Sequence, residues 1–181
     1  MITCREYEEM SSYVGDMLSA AGIVLTEAER QNIEVADFGL SDIKSIGLQV
    51  VTYINTKRVC AKELVLAPWQ LCPEHAHVDT SPAQGKEETF RCRRGTVYLY
   101  VEGEPTSDIQ ARIPQREAPY VTVRKEIILN PGQQYTLMPN TRHWFQAGEE
   151  GAVVSEFSTM STDEADVFTN PNITRAPLVA E

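Results

Sequence analysis

The stretch CPEHAHVDTSPAQGKEETFRCRRG, residues 72–95, decides how this chain folds. It carries two of the chain's three histidines, His75 and His77, one residue apart. On a β-strand, residues i and i+2 point to the same face. The pair therefore reads as a strand presenting two imidazoles to one space. Working outward, strand-like runs lie on both sides. LQVVTYINT and CAKELVLAP precede it; ETFRCRRG, TVYLYVEG, YVTVRKEIILNPG, QYTLMPN, HWFQAGEEG and AVVSEFSTM follow from Glu88 to Met160. They are rich in β-branched and aromatic residues and are separated by turn residues, the pattern of an all-β sandwich or barrel. Long helices do not alternate with these runs, which argues against a doubly wound α/β sheet.

The N-terminal part reads as helical. Thr3 with Glu6 forms a candidate capping box, and Tyr7, Met10, Tyr13, Val14, Met17 and Leu18 recur at helical spacing. Thr26 with Glu29 is a second candidate box, and residues 41–46 read as a further short turn of helix. The expected organisation is one domain over 1–181: a helical segment 1–46, a β-barrel 47–160, and a tail 161–181 wrapping the surface.

The 181 residues include 26 acidic and 16 basic side chains, for a formal charge of -10. Phosphate binding needs a basic face, so nucleic acid and anionic membranes are disfavoured partners. A small neutral molecule suits this balance better. No apolar run approaches the ~20 residues needed to cross a bilayer, and no signal-peptide pattern opens the chain. Cys4, Cys60, Cys72 and Cys92 show no CxxC spacing and read as reduced packing residues of a cytoplasmic protein.

Glu88 opens the strand after the histidines, and His143 opens another after Pro139. Three imidazoles and one carboxylate make a mixed nitrogen and oxygen set. Such a set suits one divalent ion (Mn, Fe, Co, Ni or Zn) and leaves coordination positions open. His75, His77, Glu88 and His143 are the expected ligands.

The spacing HAH, Glu88, six residues, Gly95 resembles the first cupin motif, loosened by an insertion between His77 and Glu88. PGQQYTLMPNTRH resembles the second, one residue short and without its internal glycine. Taken with PEHAH, GKEETFRCRRGTVYLYVEGE and SEFST, the chain from about Lys62 to Phe168 resembles the D-lyxose isomerase family of cupins. The resemblance implies a mainly β fold, a double-stranded β-helix with N-terminal helices. It implies a metal-dependent aldose–ketose isomerase, usually with manganese, acting on D-lyxose and D-xylulose and on D-mannose and D-fructose through a metal-bound enediol(ate). It also implies the four ligands above. Fold analogy suggests a homodimer.

Such chemistry needs a base to shuttle a proton between C1 and C2; a hydride shift is the competing route. Glu156 lies in an apolar strand, where a carboxylate has either a catalytic task or an ion-pair partner. Glu87 is a second candidate, although in a regular strand it points away from Glu88. Lys62 alternates with Leu64 and Leu66 and faces the interior or guards an edge. Lys86, Gln70, Phe90 and Trp144 are candidate substrate contacts. The alternatives are a metal-dependent cupin dioxygenase and a non-catalytic sugar-binding cupin. A phosphosugar isomerase would need Arg91, Arg93, Arg94, Arg124 or Lys125 to face inward.

Overall fold

The computed structural model describes residues 2–175 and 179–180. The elements in chain order are β1 (Ile2–Thr3), α1 (Cys4–Ala20), α2 (Glu27–Gln31), β2 (Glu34–Ala36), β3 (Leu48–Asn55), β4 (Cys60–Leu66) and β5 (Leu71–Ala76). They continue with β6 (Glu88–Val101), β7 (Lys125–Leu129), β8 (Gln134–Leu137), β9 (His143–Ser158), β10 (Val167–Phe168) and β11 (Val179–Ala180). The architecture is mainly β, as expected.

Both helices start on capping boxes. The Thr3 hydroxyl accepts the Glu6 N–H, and the Glu6 carboxylate accepts the Thr3 N–H in return; Thr26 and Glu29 repeat the exchange. Two orphan donors are satisfied at each helix start. Helix α1 buries Val14, Met17 and Leu18 against Val51, Val65 and Val153. Their strand neighbours Val50, Leu64 and Val154 pack in a separate core inside the barrel. The helix thus covers one outer face of the sheet, and period-two alternation keeps the two apolar sets apart. The N-terminal part is not wholly helical: β2 pairs antiparallel with β3, and residues 43–45 form hydrogen-bonded turns.

Strands β6 and β9 form the spine. They pair antiparallel from Glu88↔Ser158 to Val101↔His143. On its other edge β9 pairs with β5 near His143 and with β4 from Ala152 to Ser158; β6 pairs with β8 at one end and β7 at the other. The sequence divides each long strand in two because Gly95 and Gly151 look like turn residues. They are bends within continuous strands. Both have positive φ, +72° and +73°, and a Cβ on Gly95 would lie 2.0 Å from the Gly151 carbonyl oxygen. Only glycine allows so close a backbone approach at that conformation. The paired bends curl the sheet around one interior.

The segment after β9 does not simply wrap the surface. Its β10 pairs antiparallel with β5, Val167 opposite Ala76 and Phe168 opposite His75. Residues 161–175 thereby form a strap beside the strand that carries the histidines. The part of the expected tail at 176–178 and 181 lies outside the described residues.

Candidate active site

Strand β5 delivers His75, and the residue just past its end is His77. Strand β9 opens on His143, directly opposite His75 in the β5–β9 ladder. The ring centroids of His75 lie 4.3 Å from those of His143 and 4.9 Å from His77. One ring nitrogen from each of the three histidines lies within 4.8 Å of the others.

Each ring is anchored at Nδ1. His75 Nδ1 lies 2.8 Å from the Pro73 carbonyl, His143 Nδ1 3.0 Å from the Thr141 carbonyl, and His77 Nδ1 2.5 Å from Asp166 Oδ1. An Nδ1–H donated to those oxygens leaves Nε2 of His75 and His143 as a lone pair. His77 is flanked by carboxylates at both nitrogens and holds on Nε2 a proton that a metal ion would have to displace. Glu88 Oε1 stands 3.2 Å from Nε2 of both His77 and His143. His143 Nε2 is buried and lacks a well-directed hydrogen bond among the described residues, since Glu88 lies near it but off line. A buried polar atom without a partner beside a carboxylate and two more imidazoles is the donor set a divalent ion completes.

The electrostatics agree. Burial resists charge on His77, but Glu88 and Asp166 outweigh it and push the group up to about 9. These carboxylates favour a cation at this point. Burial, with His143 and His77 adding to it, holds His75 well below the ordinary histidine range, so this ring stays neutral. Burial would also raise Glu88, yet Lys86 and His77 hold its carboxyl well below the usual range.

A second group of charges adjoins the first. Lys86 Nζ is buried and lies 2.8 Å from Glu88 Oε2, 3.1 Å from Glu156 Oε1 and 3.4 Å from Asp163 Oδ1. Burial works against its charge, but the three carboxylates outweigh it and hold the ammonium well above its ordinary range. Glu156 stands opposite Lys62 on β4 and Phe90 on β6, and its Oε1 also accepts the Ser158 hydroxyl at 3.0 Å. Lys62 Nζ donates to Ser161 at 2.8 Å and to Asp163 at 2.5 Å. A narrow cavity with about 30 Å³ of free space joins these groups, with Phe38, Leu64, Phe90, Phe145 and Phe168 among its apolar walls. Polar and aromatic groups are interleaved around it, with Phe168 5.4 Å from the His75 ring and Phe90 6.2 Å from that of His143, a lining that suits a small polyhydroxylated ligand.

Of the residues picked from sequence, His75, His77, Lys62, Lys86, Glu88, Phe90 and Glu156 line this one cavity, and His143 completes the histidine group. Three others lie elsewhere. Glu87 is exposed, on the opposite side of the chain from Glu88 as strand alternation requires. Gln70 is buried, but its amide accepts from the Ala67 N–H at 2.9 Å and donates to the Ile43 carbonyl at 2.5 Å, which braces the turn before β5. Trp144 faces away from the cavity, stacked on Tyr100 with centroids 3.9 Å apart and donating its indole N–H to the Val123 carbonyl at 2.8 Å. Because His143 points inward, its neighbour must point outward, and Phe145 takes the inward place. None of Arg91, Arg93, Arg94, Arg124 and Lys125 lines the cavity. Sequence reasoning missed Asp163, Asp166, Phe168 and Arg175, all on the strap.

A family model described as D-lyxose isomerase matches residues 26–181. The D-lyxose/D-mannose isomerase of Thermosediminibacter oceani is 55% identical over 181 residues, covering 100% of both chains. The D-lyxose ketol-isomerase of Cohnella laeviribosi is 55% identical over 174 residues, 96% of each chain. Among solved structures, an L-ribose isomerase variant of Acinetobacter sp. DL28 in complex with L-ribose superposes with a TM-score of 0.80 at 16% identity, covering 97% of both chains. The Cellulomonas parahominis L-ribose isomerase gives 0.76 at 18% identity and 94% of both chains. At these identities the structural matches speak for the cupin-like fold alone.

Proposed function

Because the chain belongs to the D-lyxose isomerase family, and is an aldose–ketose sugar isomerase, we propose that it interconverts D-lyxose with D-xylulose and D-mannose with D-fructose at one divalent ion, Mn2+, held by His75, His77, Glu88 and His143. The observation that carries the metal reading is the convergence of three imidazole nitrogens within 4.8 Å of one another beside the Glu88 carboxylate. When bound, such an ion polarises the sugar oxygens and stabilises negative charge developing on them.

The chain's own residues account for the proton. Glu156 is the proposed base: it takes the proton from C2 of the open-chain aldose, the C–H electrons form the C1–C2 double bond, and the carbonyl electrons move to O1, giving an enediolate. The same carboxyl returns a proton to C1, while the O2 hydroxyl passes its proton to O1, so that O2 becomes the ketose carbonyl and O1 a hydroxyl. Lys86 remains an ammonium because three carboxylates surround it, so it orients Glu156 and offsets negative charge nearby. Lys62 and Asp163 present a donor and an acceptor to sugar hydroxyls. The aromatic walls exclude water from the carbon that loses the proton.

Free sugars are the proposed substrates, since the arginines that a phosphate would need lie off the cavity, and Arg175, which lines it, is paired with Glu34 and Asp163. The same reading carries a single-domain enzyme, a homodimer and a cytoplasmic location. Among the described residues no helix is long and apolar enough to cross a membrane.

The test is ketose formation from D-lyxose, D-mannose and their phosphates, with Mn2+ and with a chelator. Chelator-sensitive ketose from a free sugar is expected. Undiminished turnover in excess chelator would remove the metal from the scheme, and preference for a phosphosugar would overturn the substrate class.

A further inference from the structure

We propose that Asp166 is a positioning residue that sets the strength of the metal site through His77, an inference that rests on the metal reading above. The three imidazoles are anchored alike at Nδ1 but by unlike partners. His75 and His143 use neutral backbone carbonyls two residues away in sequence. His77 uses the carboxylate of Asp166, 89 residues away, at 2.5 Å. Both side chains are 7% exposed, so solvent screens their interaction little.

The placement is built, not incidental. Pairing of Val167 with Ala76 and of Phe168 with His75 holds the strap in register with β5. That register puts the residue before Val167 beside the residue after Ala76. Glu74 secures the strap further: its carboxylate accepts the Thr169 hydroxyl at 2.7 Å and its backbone carbonyl accepts the Thr169 N–H at 3.0 Å. A hydrogen-bond acceptor on the far side of an imidazole fixes its tautomer and makes Nε2 a stronger donor to a metal, and a full negative charge does so more strongly than a neutral carbonyl. His77 is accordingly the ligand whose basicity the protein tunes, and the strap is the element that tunes it.

The experiment titrates the full chain with Mn2+, counting free ion by its electron paramagnetic resonance signal. Wild type, Asp166→Asn and Asp166→Ala are compared. Asparagine keeps the size and the acceptor oxygen but loses the charge; alanine loses both. Mn2+ affinity is expected to weaken about 10-fold in Asp166→Asn and by up to about 100-fold in Asp166→Ala. Without added metal Asp166→Asn is expected to stay folded with a slightly lowered melt, because its hydrogen bond to His77 loses the charge, and added Mn2+ is expected to raise that melt less than it raises wild type, a combination that a merely structural role would not give. Should alanine fail to fold, asparagine decides. Mn2+ affinity within about twofold of wild type in Asp166→Asn and in any folded Asp166→Ala would overturn the role of Asp166 alone. A wild-type protein that binds no Mn2+ would overturn both this inference and the metal reading.

Discussion

Replacing Glu156 with glutamine separates the chemistry from the fold. The side chain is buried, and its Oε1 receives Lys86 Nζ at 3.1 Å and the Ser158 hydroxyl at 3.0 Å. Glutamine is nearly isosteric and keeps an acceptor oxygen in place. Lys86 also keeps Glu88 at 2.8 Å and Asp163 at 3.4 Å, so its charge is not stranded. What the fold loses is the difference between a charge-assisted and a neutral hydrogen bond, about 1–2 kcal/mol. What the reaction loses, if Glu156 is the base as proposed, is about 10²–10⁴-fold in kcat. At 1.36 kcal/mol per decade that is about 3–5 kcal/mol of barrier. The catalytic loss therefore exceeds the structural one. Glu156→Gln is expected to remain folded, to match wild type in the Mn2+ it takes up at the proposed site, and to form ketose at least about 100-fold more slowly. The assay pairs initial ketose rates at saturating Mn2+ with metal analysis of the same sample. Wild type run in D2O is expected to incorporate solvent deuterium into the ketose in the fraction of turnovers in which the carboxyl exchanges its proton before returning it. Turnover by Glu156→Gln within about threefold of wild type would refute the assignment, because no base contributes so little.

Further outcomes follow from the same geometry. His143→Ala removes one imidazole of the proposed four-ligand set, so metal analysis after gel filtration is expected to show substoichiometric Mn2+, with activity falling in parallel; full Mn2+ occupancy would break the ligand assignment. Trp144→Phe leaves the Val123 carbonyl unpaired and weakens the stack on Tyr100, costing about 1–3 kcal/mol in a thermal or urea melt with KM unchanged, since Trp144 lies outside the cavity. Gly95→Ala forces a side chain into a positive φ, which costs about 1–2 kcal/mol before its clash with the Gly151 carbonyl is added, so a sharply lowered Tm is expected. Burial opposes charge on Asp163, but Lys86 and Lys62 outweigh it and depress the folded value. Its stabilising effect is then present in full above the unfolded value of 3.8 and fades as pH falls toward the folded one. The Tm gap between wild type and Asp163→Asn is expected to be wide at neutral pH and to narrow below about pH 4.

The histidine pair was readable because its logic is local: period-two spacing places both rings on one face without knowledge of the rest. Glu88 with Phe90, and Lys62 with Leu64, follow the same rule along single strands. Trp144 was within reach of that rule too, since an inward His143 obliges its neighbour to face outward. Gly95 and Gly151 misled because a glycine that ends a strand and one that bends it look alike in sequence; the difference lies in which backbone atom approaches from another strand. Asp163 and Asp166 sit in STDEAD, which reads as a solvated acidic turn. Only the pairing of β10 with β5, a contact between segments about 90 residues apart, brings them onto Lys62, Lys86 and His77. Gln70 presents the reverse case: a buried amide near the histidine strand is fully occupied by backbone partners that no local pattern announces.

The pairing of His75 with His143 across two strands has a practical meaning for anyone preparing this protein. A slip of β9 by one residue against β5 and β6 would turn His143 outward and Trp144 inward, while leaving the strand content nearly unchanged. A spectrum that measures secondary structure would pass such a misaligned product as native. Metal binding at the proposed site would not, because that site needs both histidines on the same side at the same rung. Retention of one Mn2+ per chain is therefore expected to serve as a check on correct refolding, rejecting near-native byproducts that optical methods accept.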